Sequence, residues 1–294
     1  MPYWIGYVGG YTDLASRLLI IGLAAMATNL LVGHSGVMAF GHAAYFGLSS
    51  YTTGLMIKYL IPSTPVGFLA GIIVGTLGGA IIGFLLARLR GIYFALATIA
   101  FGQVFFFIAF RWNAVTGGDN GLSFQRQPID LGFLQLNLGS SRVYYYVALA
   151  VFAVCAALMA VVLRSPFGRT LLAMRENERR ARFLSIPVNR HLWMAYIVSC
   201  FFVAVAGSLY GMLNNFVSPH DLHWTQSGDF VLMAVIGGMR SFWGPLLGAA
   251  IFVVAQDYLS SLTGNWMFFI GMLFVLVVLF LPRGIAGLLQ RRTS

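Results

Sequence analysis

Between Arg164 and Arg190 the chain reads RSPFGRTLLAMRENERRARFLSIPVNR, the only long polar segment set between two apolar ones. Its seven arginines and two glutamates give a surplus of five out of a formal net charge of +10. For about a hundred residues on either side the sequence is mostly Val, Ile, Leu, Ala, Gly and Phe. A segment that must stay in water, held between stretches that prefer lipid, is the pattern of a cytoplasmic connection in a multi-span membrane protein. Composition agrees, because hydrophobic residues make up 59% and charged residues 9%, against about 25% charged in a soluble domain. The expected fold is an all-α integral membrane protein, a single helical bundle over residues 1–294 with about eight to ten spans.

Within the connection, Arg169 to Leu184 contains good helix formers and no Gly or Pro, and Pro166 and Pro187 mark its edges, so a short helix is expected. Glu176 and Glu178 each precede an arginine by four residues, Arg180 and Arg182, the favourable orientation for a helical ion pair. Leu171, Leu172, Met174, Phe183 and Leu184 need apolar cover, which must come from the membrane domain or another protein. Two readings stand. The arginines hold this loop inside, or the helix docks a cytoplasmic partner.

In chain order, an aromatic lead with Tyr3, Trp4, Tyr7 and Tyr11 suits the headgroup layer. No basic region or cleavage site precedes the first apolar run, so no cleaved signal peptide is expected. A first span, about 14–32, leads into GHSGVMAFGHAAYFGLSSYTTGLM, Gly33 to Met56, which Gly33, Gly36, Gly41 and Gly47 and two histidines mark as a broken span. Non-helical backbone at membrane depth is tolerated where it is buried in protein or lines a water-filled cavity. Asn29, Ser35 and His42 here, with Thr98 and Gln103 in the span 91–110, are therefore candidate translocation-path residues, although glycines also serve close helix packing. Gly71, Gly75, Gly79 and Gly83 form a stripe along one helix face and are expected to be a packing surface.

Residues 111–142 form an external loop with nearly balanced charge and the turn cluster TGGDNGL. A stretch at 217–228 holds His220, Asp221 and His223; two imidazoles and a carboxylate without further ligands do not make a metal site, and a solvated loop is expected. Spans at 229–238 and 244–261 are joined by MRSFWGP, whose glycine and aromatic pattern echoes the break near Phe40 and suggests two related halves. A last span, 266–281, leaves the chain inside with Arg283, Arg291 and Arg292. Cys155 and Cys200 fall inside spans and are expected to be buried thiols.

There is no G-x-x-x-x-G-K-[ST] pattern, so nucleotide binding by this chain is not expected, and arginines tethered at bilayer edges are a poor fit to nucleic acid. A secondary transporter or channel is the main alternative, but ion coupling ordinarily places ionisable groups inside spans, and the aspartates here sit near loops and span ends. An intramembrane enzyme built on the histidines lacks an accompanying Glu or Cys.

Five motifs, GHSGVMAFGHAAYFGLSSYTTGLM, TGGDNGL, GRTLLAMRENERRARFLSIPVNR with AGSLYG after it, FVLMAVIGGMRSFWGPLLGA and LPRGIAGLL, occur in one order over nearly the whole chain. In them the sequence resembles the M-type permease subunits of ABC importers for branched-chain amino acids. It departs at Ser185, where many relatives carry Gly. The resemblance implies a non-catalytic inner-membrane subunit without cofactor, which pairs with a second, homologous permease and receives solute from a periplasmic binding protein. Two cytoplasmic ATPases would bind the ATP and dock through Gly168, Arg169, Arg175, Glu176, Asn177, Glu178, Arg179 and Ala181. The mechanism implied is alternating access.

Overall fold

The computed structural model describes residues 12–130, 135–136, 138–280 and 284–290. The aromatic lead and the arginines at 283, 291 and 292, on which the inside placement of the C-terminus rests, lie outside them. Helix α1 (Thr12–Asn29) does not stop at its last α-helical residue but widens into a π-helical turn, Leu30–Ser35. Gly36 follows with φ of +74°, and regular structure resumes only at α2 (His42–Leu55), which ends in a second π-helical turn, Met56–Leu60. The glycine-rich stretch is therefore a helix, a break and a second helix.

Helices α3 (Thr64–Leu86) and α4 (Ile92–Arg111) are joined by a tight connection holding Arg88 and Arg90. Pro65 sits in the first turn of α3, where its missing N–H costs nothing. On the far side, Leu122 pairs with Val217 and Ser123 with Phe216 in a two-residue antiparallel ladder. Arg126 lies over the Tyr144 ring, 4.5 Å from its centroid, and its Nη1 donates to the Met212 carbonyl at 3.2 Å. This segment is thus fastened to the ends of two spans.

Helix α5 (Ser141–Arg164) returns across the bundle to α6 (Pro166–Glu176) and α7 (Glu178–Phe183), the charged connection. Then come α8 (Val188–Asn214), α9 (Trp224–Gly237), α10 (Gly244–Leu262), α11 (Trp266–Phe280) and α12 (Gly284–Gln290). By length and composition, six helical segments among the described residues can cross a membrane: Thr12–Ser35, α3, α4, α5, α8 and α10. The eight to ten expected include shorter elements, since α2, α9 and α11 are each under 18 residues.

Helix α8 is the hub, packing on α1, α2 and α3. The glycine stripe of α3 is what lets it come close: Gly75, Gly79 and Gly83 are buried against Ala204, Cys200 and Tyr196 of α8. Cys155 and Cys200 are free and buried.

Candidate functional site

The charged connection differs from a single helix. Asn177 leaves helical geometry at φ −157° and ψ 98°, ends α6, and caps α7 by accepting the Arg180 N–H at 2.9 Å. Asn, which competes well for backbone donors through its short side chain, favours such a cap over a helix interior. Glu176 and Arg180 therefore stand on opposite sides of a break, and the ion pair expected between them does not form. Glu178 and Arg182, both within α7, do pair at 2.6 Å. Glu178 has a second partner that sequence spacing did not show: Arg90, whose Nε reaches the same oxygen at 2.8 Å. Burial opposes ionisation of this carboxyl, but hydrogen bonds and charge from Arg90 and Arg182 outweigh it and hold its pKa below the ordinary value.

Arg90 also donates to the carbonyls of Ala87 and Leu89, both at 2.7 Å, and to Asn189 Oδ1 at the start of α8. One guanidinium thereby ties the α3–α4 turn to the middle and the far end of the charged connection. Arg175, in the last turn of α6, donates to the Gly33 carbonyl inside the π-helical turn. A Cβ at Gly36 would meet Arg175 Cγ at 2.9 Å, so the charged connection lies directly on the broken span. Gly33, His34, Leu172, Arg175, Glu176 and Arg240 line a polar cleft of about 430 Å³ at this junction.

The eight residues expected at the coupling site divide three ways. Arg169, Glu176, Asn177 and Arg179 are exposed, Arg175 and Glu178 reach inward to the bundle, and Gly168 and Ala181 are buried. Gly168 is required by the α5–α6 turn, since a Cβ there would overlap the Leu163 carbonyl oxygen. Ser185 has φ of +59°, with its N–H on Arg182 O and the Ile186 N–H on Ala181 O. That is a Schellman stop for α7, in which Gly is the favoured residue. On the outer face Phe183 is 87% and Leu184 75% exposed.

Four of the five path candidates gather around the break. Thr98 Oγ1 accepts the Phe40 N–H at 3.1 Å, and Ser35 Oγ donates to the Leu31 carbonyl at 2.6 Å. His42 Nε2 lies 2.8 Å from Ser199 Oγ, which itself donates to the Ala27 carbonyl at 2.7 Å. A hydroxyl has one proton, so the imidazole must donate from Nε2. Asn29 is buried, with its Oδ1 lacking a partner. Gln103, more than a turn beyond Thr98, is half-exposed and takes no part in these bonds. Ser227 was not anticipated: its Oγ accepts the Ala43 N–H at 2.8 Å, so α2 and α9 begin side by side inside the bundle.

A family model described as branched-chain amino acid transport system / permease component matches residues 10–278. The chain belongs to this permease family. It is 29% identical, over 94% of its length and 70% of the relative's, to the high-affinity branched-chain amino acid transport system permease protein LivM of Salmonella typhimurium. To the LivM protein of Escherichia coli it is 28% identical over the same shares. A probable LivM protein of Methanocaldococcus jannaschii is 24% identical over 89% of this chain and 86% of that one. No solved structure matches.

The permease also departs from expectation on its far side, where residues 217–228 are not a solvated loop. Ser218 and Asp221 form a reciprocal capping box, and Pro219 and Leu222 are buried, Leu222 seating against Gly47 of α2. Folding this turn into the bundle takes the Asp221 carboxylate out of water. Burial pushes its pKa up to about 6, although the Ser218 N–H, His220 and Arg17 pull the other way.

Proposed function

We propose that this chain is the permease subunit of an ABC importer and forms half of the path for a branched-chain amino acid. A second, homologous permease completes the path, two cytoplasmic ATPases supply the energy, and a periplasmic protein delivers the solute. The chain itself performs no catalysis, and its C-terminus is cytoplasmic. The observation that carries the coupling role is the exposure of Phe183 and Leu184 within a charged connection, beside the exposed Arg169, Arg179 and Arg182. Large apolar side chains rimmed by charge mark a protein contact rather than a solvated loop. The solute assignment is supported by the LivM relatives, which are branched-chain amino acid permeases.

ATP-driven closure of the partners would move α6 and α7 as one body, because Arg175 and Arg90 fasten them to the broken span and to the α3–α4 turn. Displacing Gly33 displaces the break, and Asn29, Ser35, His42 and Thr98 with it. The path-lining state is then one conformation of a two-state element, consistent with the burial of these residues here. Gln103, on the half-exposed face of α4, would line the path separately.

The test replaces Phe183 and Leu184 with serine. The variant should insert normally, copurify less ATPase and lose leucine uptake; full ATPase retention with wild-type uptake refutes the docking role. Cysteines at Ser123 and Ala173 should be labelled from outside and inside respectively, with the buried Cys155 and Cys200 silent. Asp221, in a turn folded into the bundle, favours one rival, a proton-driven carrier. Uptake abolished by a protonophore at undiminished ATP would support that rival instead.

A further inference from the structure

On the corner where α3 ends and α8 begins, Phe84, Leu85, Ala87, Arg88, Asn189, Arg190 and Trp193 line a cavity of about 590 Å³. It shares no lining residue with the cleft at the break and sits at the α8 end of the charged connection. Its floor is ordered: Trp193 Nε1 donates to the Ala80 carbonyl at 2.8 Å and its ring meets Phe84 edge-on, 5.7 Å between centroids. Its two cations are free, since the ion pairs among the described residues are Arg90–Glu178 and Arg182–Glu178, and the lining holds no carboxylate.

Along α3 the same face continues away from the cavity through Ile81 and Leu77, 62% and 55% exposed, after Phe84 and Leu85 at 65% and 57%. The order read along this face is apolar, apolar, aromatic, then arginine at the span boundary. That is the order of an acyl chain followed by an anionic headgroup. A cytoplasmic protein would not need the apolar track to run down a membrane span, and a neutral lipid would leave two arginines uncompensated.

We propose that this cavity binds an anionic phospholipid, with the headgroup phosphate held by Arg88 and Arg190 and one acyl chain laid along Phe84, Leu85, Ile81 and Leu77. A guanidinium offers a fork of donors matched to a phosphate, and pockets of this charge between spans suit such headgroups. Three arginines, Arg88, Arg90 and Arg190, crowd this corner, and Asn189 is shared between the cavity and Arg90. Lipid neutralises the two that Glu178 does not reach and leaves Glu178 to Arg90. The site thus supports the tie that holds the charged connection in place.

The inference rests on the membrane-permease reading only for placing α3 and α8 in a bilayer, and lipid binding is measured without transport, so the two fail separately. The permease, purified with the partner subunits it retains, is exchanged into phosphatidylglycerol or phosphatidylcholine nanodiscs. Bound lipid is counted by native mass spectrometry after release, and melting is followed in parallel. Wild type should keep phosphatidylglycerol and melt higher in it than in phosphatidylcholine. Arg88→Gln with Arg190→Gln should lower phosphatidylglycerol retention on the order of thirtyfold, from about 1 kcal/mol per arginine near a charged surface. The double Arg→Lys variant should restore most of it, which separates lost charge from lost folding.

Equal retention by the Gln and wild-type proteins overturns the proposal. So does equal protection by millimolar inorganic phosphate in detergent, which would make this a free-anion site. Loss of ATPase copurification with lipid retention intact would make it a protein-docking site and overturns it as well.

Discussion

Helices α1 and α3 are both long, apolar and uninterrupted by charge at their centres, yet they live in different solvents. The more hydrophobic of the two, α3, has a mean hydropathy of 2.3 over its most apolar window, of which 33% is buried in the bundle. The window of α1 and its π-helical turn averages 1.7 and is 78% buried. The order is the reverse of a soluble protein's. Lipid accepts nothing but apolar side chains, whereas the bundle interior can satisfy Ser16 and Thr28 through carbonyls of the preceding turn, and Ser199 of α8 through the Ala27 carbonyl of α1. Polarity within a span therefore points inward here, and small residues point to the closest helix contacts.

The sharpest way to break this comparison is to add bulk where α8 meets α2. Gly207→Leu would drive a side chain into the Phe46 carbonyl, and the expected cost is about 3 kcal/mol or more. Expression and melting in detergent measure it, and a stable, monodisperse variant would mean that the hub is looser than described.

Next in size is Ser199→Ala, which strands His42 Nε2 and the Ala27 carbonyl together. A loss of about 1–3 kcal/mol is expected from leaving buried groups unpaired, read as a lowered melting midpoint, with Ser199→Thr sparing part of it. No change would mean that other partners satisfy both groups.

Smaller again is Glu178→Gln, because its two arginine partners are partly in water. At most about 1 kcal/mol is expected. The sign with pH is definite: a carboxyl held below its ordinary pKa contributes above the unfolded value, near 4.5, and its contribution disappears as pH falls through the folded one. Wild type and variant should differ at pH 7 and converge under acid; a difference that grows under acid would contradict the pairing.

The smallest effect belongs to the lipid face. Leu77→Ala on α3 should change melting by no more than about 0.5 kcal/mol, and a core-sized loss would reveal a partner helix on that face.

Much of the architecture was legible because lipid imposes simple rules. Apolar lengths marked the spans, Gly33, Gly36 and Gly41 marked the break, and the four-residue spacing of Gly71 to Gly83 marked a packing face. Burial rank was not legible, since hydropathy ranks α3 above α1. At the charged connection, four-residue spacing suggested Glu176–Arg180 and Glu178–Arg182 as equals. Spacing presumes an unbroken helix, and Asn177, whose side chain caps as readily as it interrupts, removed one pair. Arg90, 88 residues from Glu178 in sequence, carried no local signal beyond its place at a span end. The stretch 217–228 misled because its histidines and aspartate look solvated, while the residues that decide, Pro219 and Leu222, are the apolar ones between them. Ser185 is a further case: its left-handed φ ends α7, and nothing in the local sequence announced that conformation.

The wide turn at Leu30–Ser35 acts as a rotational offset. A π-helical turn holds one residue more than an α-helical one, and one residue is about 100° of rotation. That phase decides which way the Gly33 carbonyl faces, and hence whether Arg175 can reach it. Deleting Val32 would leave hydropathy and span length nearly untouched while winding the segment beyond it back by the same angle. The permease would keep its membrane and lose the Arg175 contact, a fault of angle in a helix whose composition still looks sound.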